Sequence, residues 1–418
     1  MTEPAPSPAY LTRPSLKTLV PLTVVAAVVA ALTAALVHWR LGGEATASEP
    51  VWQISGEKLP NAPGSLPPWG ELQKLPMVTE KPEEFIDANS PAMEATEWTF
   101  AGVSGSFVQR RMDEIGLPPA VLAALFDPAA SEERGTAFVL KPSDDFIMNL
   151  APEHRRLLYK ELRRQGAGHF LTYPFTFPAG RLGAILANRV RPETRAMVEK
   201  LLYRIGGADC FSDLGPAFRS IADRDERRHL LKALTRQDTL LIKAVIRPDT
   251  NVDRLIGYWS APNRRKDIQP LLESLTRVPG GTLLDVAHLL PGFARQRLYT
   301  YPEKVTTGQR DYDCHWTCLN FFRAEPDMTY LDSSTVATAL KRDYDPVPGP
   351  TRLGDVLLYT TDGENVVHSC VYIADDVVFT KNGANPMQPW TFMTLKEMEV
   401  VYPSDEPYRM VTYRLKGM

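Results

Sequence analysis

The spacing of apolar positions changes along this chain, and each change predicts a different kind of element. Leu19 to Val37 holds no charged residue, and no polar face interrupts it. At ~1.5 Å per residue such a helix spans roughly 28 Å, close to the ~30 Å of a bilayer's hydrocarbon core. A transmembrane anchor is therefore expected at 19–39, behind a cytoplasmic tail at 1–18. Arg13 and Lys17 precede the run and Arg40 follows it, a slight bias toward an N-terminus inside and the bulk of the chain outside the cytoplasm. Ala45-Thr46-Ala47 suits a signal peptidase. The apolar run is longer than a usual signal core, however, and that tripeptide lies well beyond its end, so an uncleaved anchor is the expectation.

Residues 40–99 read as a proline-rich spacer. Eight prolines fall in the 42 positions from Pro50 to Pro91, and proline removes backbone donors and favours extended chain. Trp52, Trp69 and Phe85 are too sparse there for a core, though they can dock onto one. From 100 to 300 the period becomes helical, predicting a mainly helical domain. Pro192 opens a stripe of Met197, Leu201, Leu202 and Ile205 that Gly206-Gly207 closes. Asp223 with Glu226 forms a capping-box pattern ahead of Leu230, Leu231 and Leu234. Ile268, Leu271, Leu272 and Leu275 repeat the stripe. Pro152 to Arg164 reads as a basic helix, either a solvated face or a contact for anionic lipid or wall polymer. Leu240 to Ile246 is apolar throughout, and its period does not choose between helix and strand.

The character shifts again over 301–418. A short helix is expected from Cys314 to Phe322, then strands at Val356–Tyr359, Val367–Ile373 and Val377–Lys381, separated by turns at Asp362-Gly363 and Asp375-Asp376. One helix followed by antiparallel strands is an α+β arrangement.

Composition narrows the function. A net charge of −3 on 418 residues supplies no electrostatic reason for a nucleic-acid partner. Cys210, Cys314, Cys318 and Cys370 form no CxxC pair, and no HExxH occurs, so neither a structural zinc nor a disulfide framework is expected.

Chemistry gathers around Tyr312-Asp313-Cys314. A cysteine in the first turn of a helix meets unpaired amides and the positive end of the dipole, which favour thiolate and can hold an oxyanion. A nucleophilic thiol needs a base, and His368 in the strand Val367–Ile373 is the candidate. Strand alternation puts His368, Cys370 and Tyr372 on one face and Ser369, Val371 and Ile373 on the other. The His368 face is expected to pack against the Cys314 helix. A third group should orient the imidazole. Val378, Thr380 and Asn382 share a face of the next strand, with Asn382 the favoured partner and Thr380 the alternative. Tyr312, Asp313 and His315 flank the thiol as candidate substrate contacts. Cys318 and Cys370 read as packing residues.

These segments resemble the NlpC-type cysteine peptidases. Asp311-Tyr-Asp-Cys-His-Trp-Thr-Cys-Leu-Asn-Phe-Phe322 is similar to their nucleophile helix. Gly354-Asp355-Val-Leu-Leu-Tyr359 is similar to their glycine–aspartate strand opening, and Val367-His368-Ser-Cys-Val-Tyr-Ile373 to their histidine strand. The resemblance covers roughly the last quarter of the chain. It implies a papain-like α+β domain at 301–418 and a cysteine peptidase or amidase acting on cell-wall peptides through a thioester on Cys314. That chemistry requires no metal or organic cofactor. Two departures stand out: His315 and Trp316 replace the family's usual small residues, and no histidine follows His368. An acyltransferase or lipid amidase of the same fold, or a non-catalytic wall-binding or envelope scaffold protein, are the alternatives.

Overall fold

The computed structural model describes residues 67–418 except 84–85, 87–93, 168–170, 172, 303–311 and 362–364. The described strands, in chain order, begin with β1 (Glu71–Thr79), β2 (Trp98–Ala101), β3 (Ser131–Arg134) and β4 (Ala137–Leu140). They continue with β5 (Phe175–Pro178), β6 (Tyr203–Ile205), β7 (Ala208–Phe211), β8 (Gln237–Ile246) and β9 (Thr282–Asp285). The C-terminal strands are β10 (Tyr344–Pro346), β11 (Val356–Thr361), β12 (Asn365–Ala374), β13 (Val377–Lys381), β14 (Trp390–Thr394) and β15 (Arg409–Leu415). Antiparallel pairing groups them into three three-stranded sheets, β2-β4-β3, β5-β7-β6 and β1-β8-β9, and one six-stranded sheet, β10-β15-β11-β12-β13-β14.

The α+β class stands, but its expected membrane-spanning part needs correction. No helix among the described residues is long and apolar enough to cross a membrane. The run at 19–37, on which the anchor rested, lies outside the described residues. The 100–300 region holds more helix than strand, as expected, but it is not helix alone. It carries seven of the strands just named, β3 to β9, in addition to its helices. The helix opened by Pro192 stops at Lys200, and Tyr203, Arg204 and Ile205 turn into a strand that Gly206, at φ +54°, folds back onto β7.

Other expectations hold locally. Helix Pro152–Arg164 has its predicted bounds, but Arg155 is fully buried and its guanidinium pairs with Asp213 at 2.9 Å rather than facing solvent. Asp223 caps helix Arg224–Leu234 as its pattern predicted. Glu226 does not close the box: its carboxylate accepts from the Arg191 amide at 2.7 Å. Leu240 to Ile246 is strand, inside β8.

The proline-rich stretch is not spacer throughout. Residues 71–79 pair along their whole length with β8, from Glu71 opposite Val245 to Thr79 opposite Gln237. Pro76 is tolerated because β1 is an edge strand, where a missing N–H costs no ladder bond. Trp69 docks as expected, its carbonyl accepting from the Trp259 indole at 3.1 Å. Trp52 and Phe85 lie outside the described residues.

Residues on both sides of position 300 share one core. Ile242, Trp259 and Leu289 belong to the same buried cluster as Trp316, Phe379 and Phe392. Backbone bonds stitch the join: Tyr299 donates to the Trp390 carbonyl at 2.7 Å, and Trp390 donates to Thr300 at 3.0 Å. Tyr258 Oη donates to the Ile373 carbonyl at 2.6 Å, and Thr239 Oγ1 to Phe392 at 2.8 Å. The described residues on the two sides of position 300 therefore belong to one compact unit.

Candidate active site

Asp313 builds the start of the nucleophile helix. Its Oδ1 accepts from the Trp316 amide at 2.8 Å, and its carbonyl accepts from the Thr317 amide and hydroxyl at 3.1 and 2.8 Å. Such a cap contributes ~1 kcal/mol. The helix runs Cys314–Asn320 and ends two residues before the expected Phe322. Its body packs on the six-stranded sheet, but on the face opposite to the one expected. Val371, Ile373 and Phe379 lie in the cluster with Trp316, Cys318 and Leu319. Cys370 and Tyr372 lie in the cluster on the other face, with Tyr359, Met398 and Tyr402. His368 goes with that second face: its ring stacks on Tyr402, centroids 4.2 Å apart.

The His368 imidazole is fully buried and tied on one side only. Nε2 lies 2.9 Å from Thr380 Oγ1, and Thr380 Oγ1 in turn donates to Asn382 Oδ1 at 3.3 Å. A hydroxyl that donates its proton to Asn382 must accept from the imidazole. The proton therefore sits on Nε2, and Nδ1 carries a free lone pair. Nδ1 is buried and has no hydrogen-bond partner. The orienting residue is thus Thr380, with Asn382 one step behind it. Asn382 itself bonds Thr380 and, through Nδ2, the Met393 sulfur at 3.3 Å, and it makes no hydrogen bond to the imidazole. Burial, and next the His315 charge, hold His368 well below the usual histidine range, so the ring is neutral at pH 7.

Cys314 is 5% exposed. Burial pushes its thiol up to about 12, and the Asp313 charge pushes the same way; the Ser369 amide and hydroxyl and the His315 amide oppose the rise. The expected lowering at a helix start is therefore overridden by desolvation. At rest the thiol is protonated, and no Cys314–His368 hydrogen bond forms. The two residues are nevertheless neighbours of the same groups. Cys314 lies against Ser369, the residue after His368, and near Tyr402, the ring that covers the imidazole: burial first, and then the charge Cys314 would carry as thiolate, raises the Tyr402 hydroxyl. Labelling of Cys314 by iodoacetamide should then rise about tenfold per pH unit between roughly pH 7 and 9, since the thiolate fraction grows tenfold per unit below the pKa. A rate already at its plateau at pH 7, followed by mass spectrometry of the tryptic peptide, would show a preformed thiolate instead.

The flanking candidates take other places. Tyr312 packs at a tilt against Trp316, centroids 4.5 Å apart, and lies 5.9 Å from Trp390, within an aromatic group that also holds the Arg297 guanidinium. Asp313 is occupied as the cap. His315 Nδ1 is 2.9 Å from Ser369 Oγ. Ser369 was not among the candidates, although alternation had already put it on the face that the helix covers. Tyr173 and Tyr402 were also missed, because they belong to no motif and are distant in sequence from Cys314. Among the described residues no group of acidic, histidine or cysteine side chains is placed to hold a metal ion. No family model, no curated protein and no solved structure matches this chain.

Proposed function

We propose that the chain is a cysteine-dependent amide hydrolase whose substrate class is cell-wall peptide, the class implied by its resemblance to the NlpC-type enzymes. The observation that carries the chemistry is the buried imidazole with Nε2–H anchored on Thr380 and Nδ1 left free, in the same neighbourhood as a cysteine at a helix start. A buried nitrogen without a partner calls for an explanation, and a catalytic base is one. In this reading substrate entry displaces the Tyr402 and Tyr173 side chains and brings the Cys314 thiol to Nδ1. The thiol proton passes to His368, and sulfur attacks the amide carbonyl. The C–N bond breaks as the imidazolium gives that proton to the leaving amine, which leaves a thioester. Water then attacks, losing its proton to His368, and Cys314 is regenerated as thiol with release of the acid.

The protonated resting thiol favours a second reading, a wall-peptide binding module without turnover. Incubating the full-length chain with purified wall fragments and weighing the products separates the two. The first reading expects a new amine and a new acid whose masses sum to substrate plus one water. Intact fragments retained by the protein would favour the second.

A further inference from the structure

Beside His368 lies a cavity of about 230 Å³ bordered by Arg163, Tyr173, Asn382, Gln388, Tyr402 and neighbouring residues. We infer that this cavity is a subsite for the carboxylate of a short ligand, with Arg163 as its counter-ion. The inference deepens the reading above by adding that the substrate carries a free carboxylate close to the amide that is cut.

Arg163 sits in the last turn of helix Pro152–Arg164. The other arginines of that helix are all paired: Arg155 with Asp213, Arg156 with Glu153 and Asp405, and Arg164 with Glu161. Arg163 is half-buried, and among the described residues its side chain has no hydrogen bond or ion pair. Among the described residues no Asp or Glu borders the cavity. A half-buried guanidinium facing a cavity without a carboxylate is an unfilled half of a charge-assisted pair. Two further polar groups of the same lining are incompletely satisfied: Gln388 Oε1 is buried without a partner, and Tyr402 Oη, approached by the Gly383 amide, has no acceptor for its proton. The tyrosine can donate and the amide oxygen can only accept. A carboxylate answers both donors, Arg163 and Tyr402, while an N–H of the same ligand answers Gln388. Tyr402 borders the cavity and stacks on His368, so a single ring connects a ligand seated here to the imidazole. The cavity is smaller than the ~300–1,000 Å³ of drug-sized sites, which fits the end of a peptide and not its middle.

The test uses the full-length chain and isothermal titration with N-acetyl-alanyl-alanine, its C-terminal amide, and inorganic phosphate. The acid is expected to bind at least tenfold more tightly than the amide and than phosphate. Arg163→Gln should bring the acid down to the amide's affinity, and Arg163→Lys should restore part of the difference. Equal binding of acid and amide, tighter binding of phosphate, no binding of either peptide, or an unchanged preference in Arg163→Gln would each overturn the proposal. The acid–amide comparison on the unaltered chain stands even if Arg163→Gln does not fold. A chain that prefers the acid but cuts no amide would keep this subsite and sink the hydrolase reading instead.

Discussion

Cys314→Ala is expected to reduce hydrolysis of a wall-peptide amide to background, with the unfolding midpoint of the protein nearly unchanged. The thiol supplies the bond to the acyl group, and no other side chain at that helix start can replace it. Cys314→Ser should be almost as damaging, because a hydroxyl is much harder to ionise beside one imidazole. His368→Ala should cost about 10²–10⁴-fold, the usual worth of a positioned acid–base group. The double variant should be no slower than Cys314→Ala alone, since nucleophile and base act as one unit. Thr380→Val removes the acceptor that fixes the imidazole proton on Nε2, so it should lose more activity than Asn382→Ala, which acts one bond further away. Cys318→Ala and Cys370→Ala should keep most turnover. Full hydrolysis by Cys314→Ala, measured as released amine, would make the central reading wrong.

The second large effect is on stability. Asp355 is completely buried, and its carboxylate accepts from Arg414 Nε at 2.8 Å, from Arg414 Nη2 at 2.7 Å and from the Arg352 amide at 2.8 Å. Removing one partner of a buried pair strands the other charge, which typically costs ~3–5 kcal/mol. Asp355→Ala should therefore lower the denaturant midpoint by a large step, and the exposed Asp375→Ala by little. Gly354 adds an independent constraint. It holds φ +90°, and a Cβ there would lie 2.1 Å from the Phe322 ring. Gly354→Ala should be comparably destabilising, because strain and clash act together. Near-native midpoints for both variants, read by circular dichroism in urea, would contradict this account. The glycine–aspartate pair is then a clip that holds the start of β11 against β15 and against Phe322, just after the Cys314 helix.

How much of this was legible beforehand follows from the range of each interaction. Strands β12 and β13, helix Pro152–Arg164 and the Asp223 cap are set by local patterning, and sequence located them. Strand β1 was hidden because Pro76 argues against strand unless the partner lies on its other side, and that partner, β8, is some 160 residues away. The 203–211 hairpin was hidden because Leu201, Leu202 and Ile205 keep a helical spacing past the point where the helix stops. For the site, the types and order of Cys314, His368 and Thr380 were readable. The sheet face that the helix covers was not, since alternation gives two faces without saying which is buried by what. Nor was the choice of Thr380 over Asn382: β13 ends at Lys381, so Asn382 has already left the ladder that carries Thr380 past the imidazole. The desolvation that keeps Cys314 protonated comes from packing that no short motif encodes.

The core shared across position 300 bears on how such a protein can be inherited. Its cavity takes Arg163, Tyr173, Pro174 and Thr176 from one side of that position and Val367, Asn382, Gln388 and Tyr402 from the other. A gene fragment encoding only 301–418 would carry the thiol and the imidazole but leave part of the cavity wall, Arg163 included, behind. It would also expose the apolar surface that Ile242, Trp259 and Leu289 cover. Exon or cassette shuffling, which moves self-contained modules between genes, has no clean cut here. The two stretches must travel together.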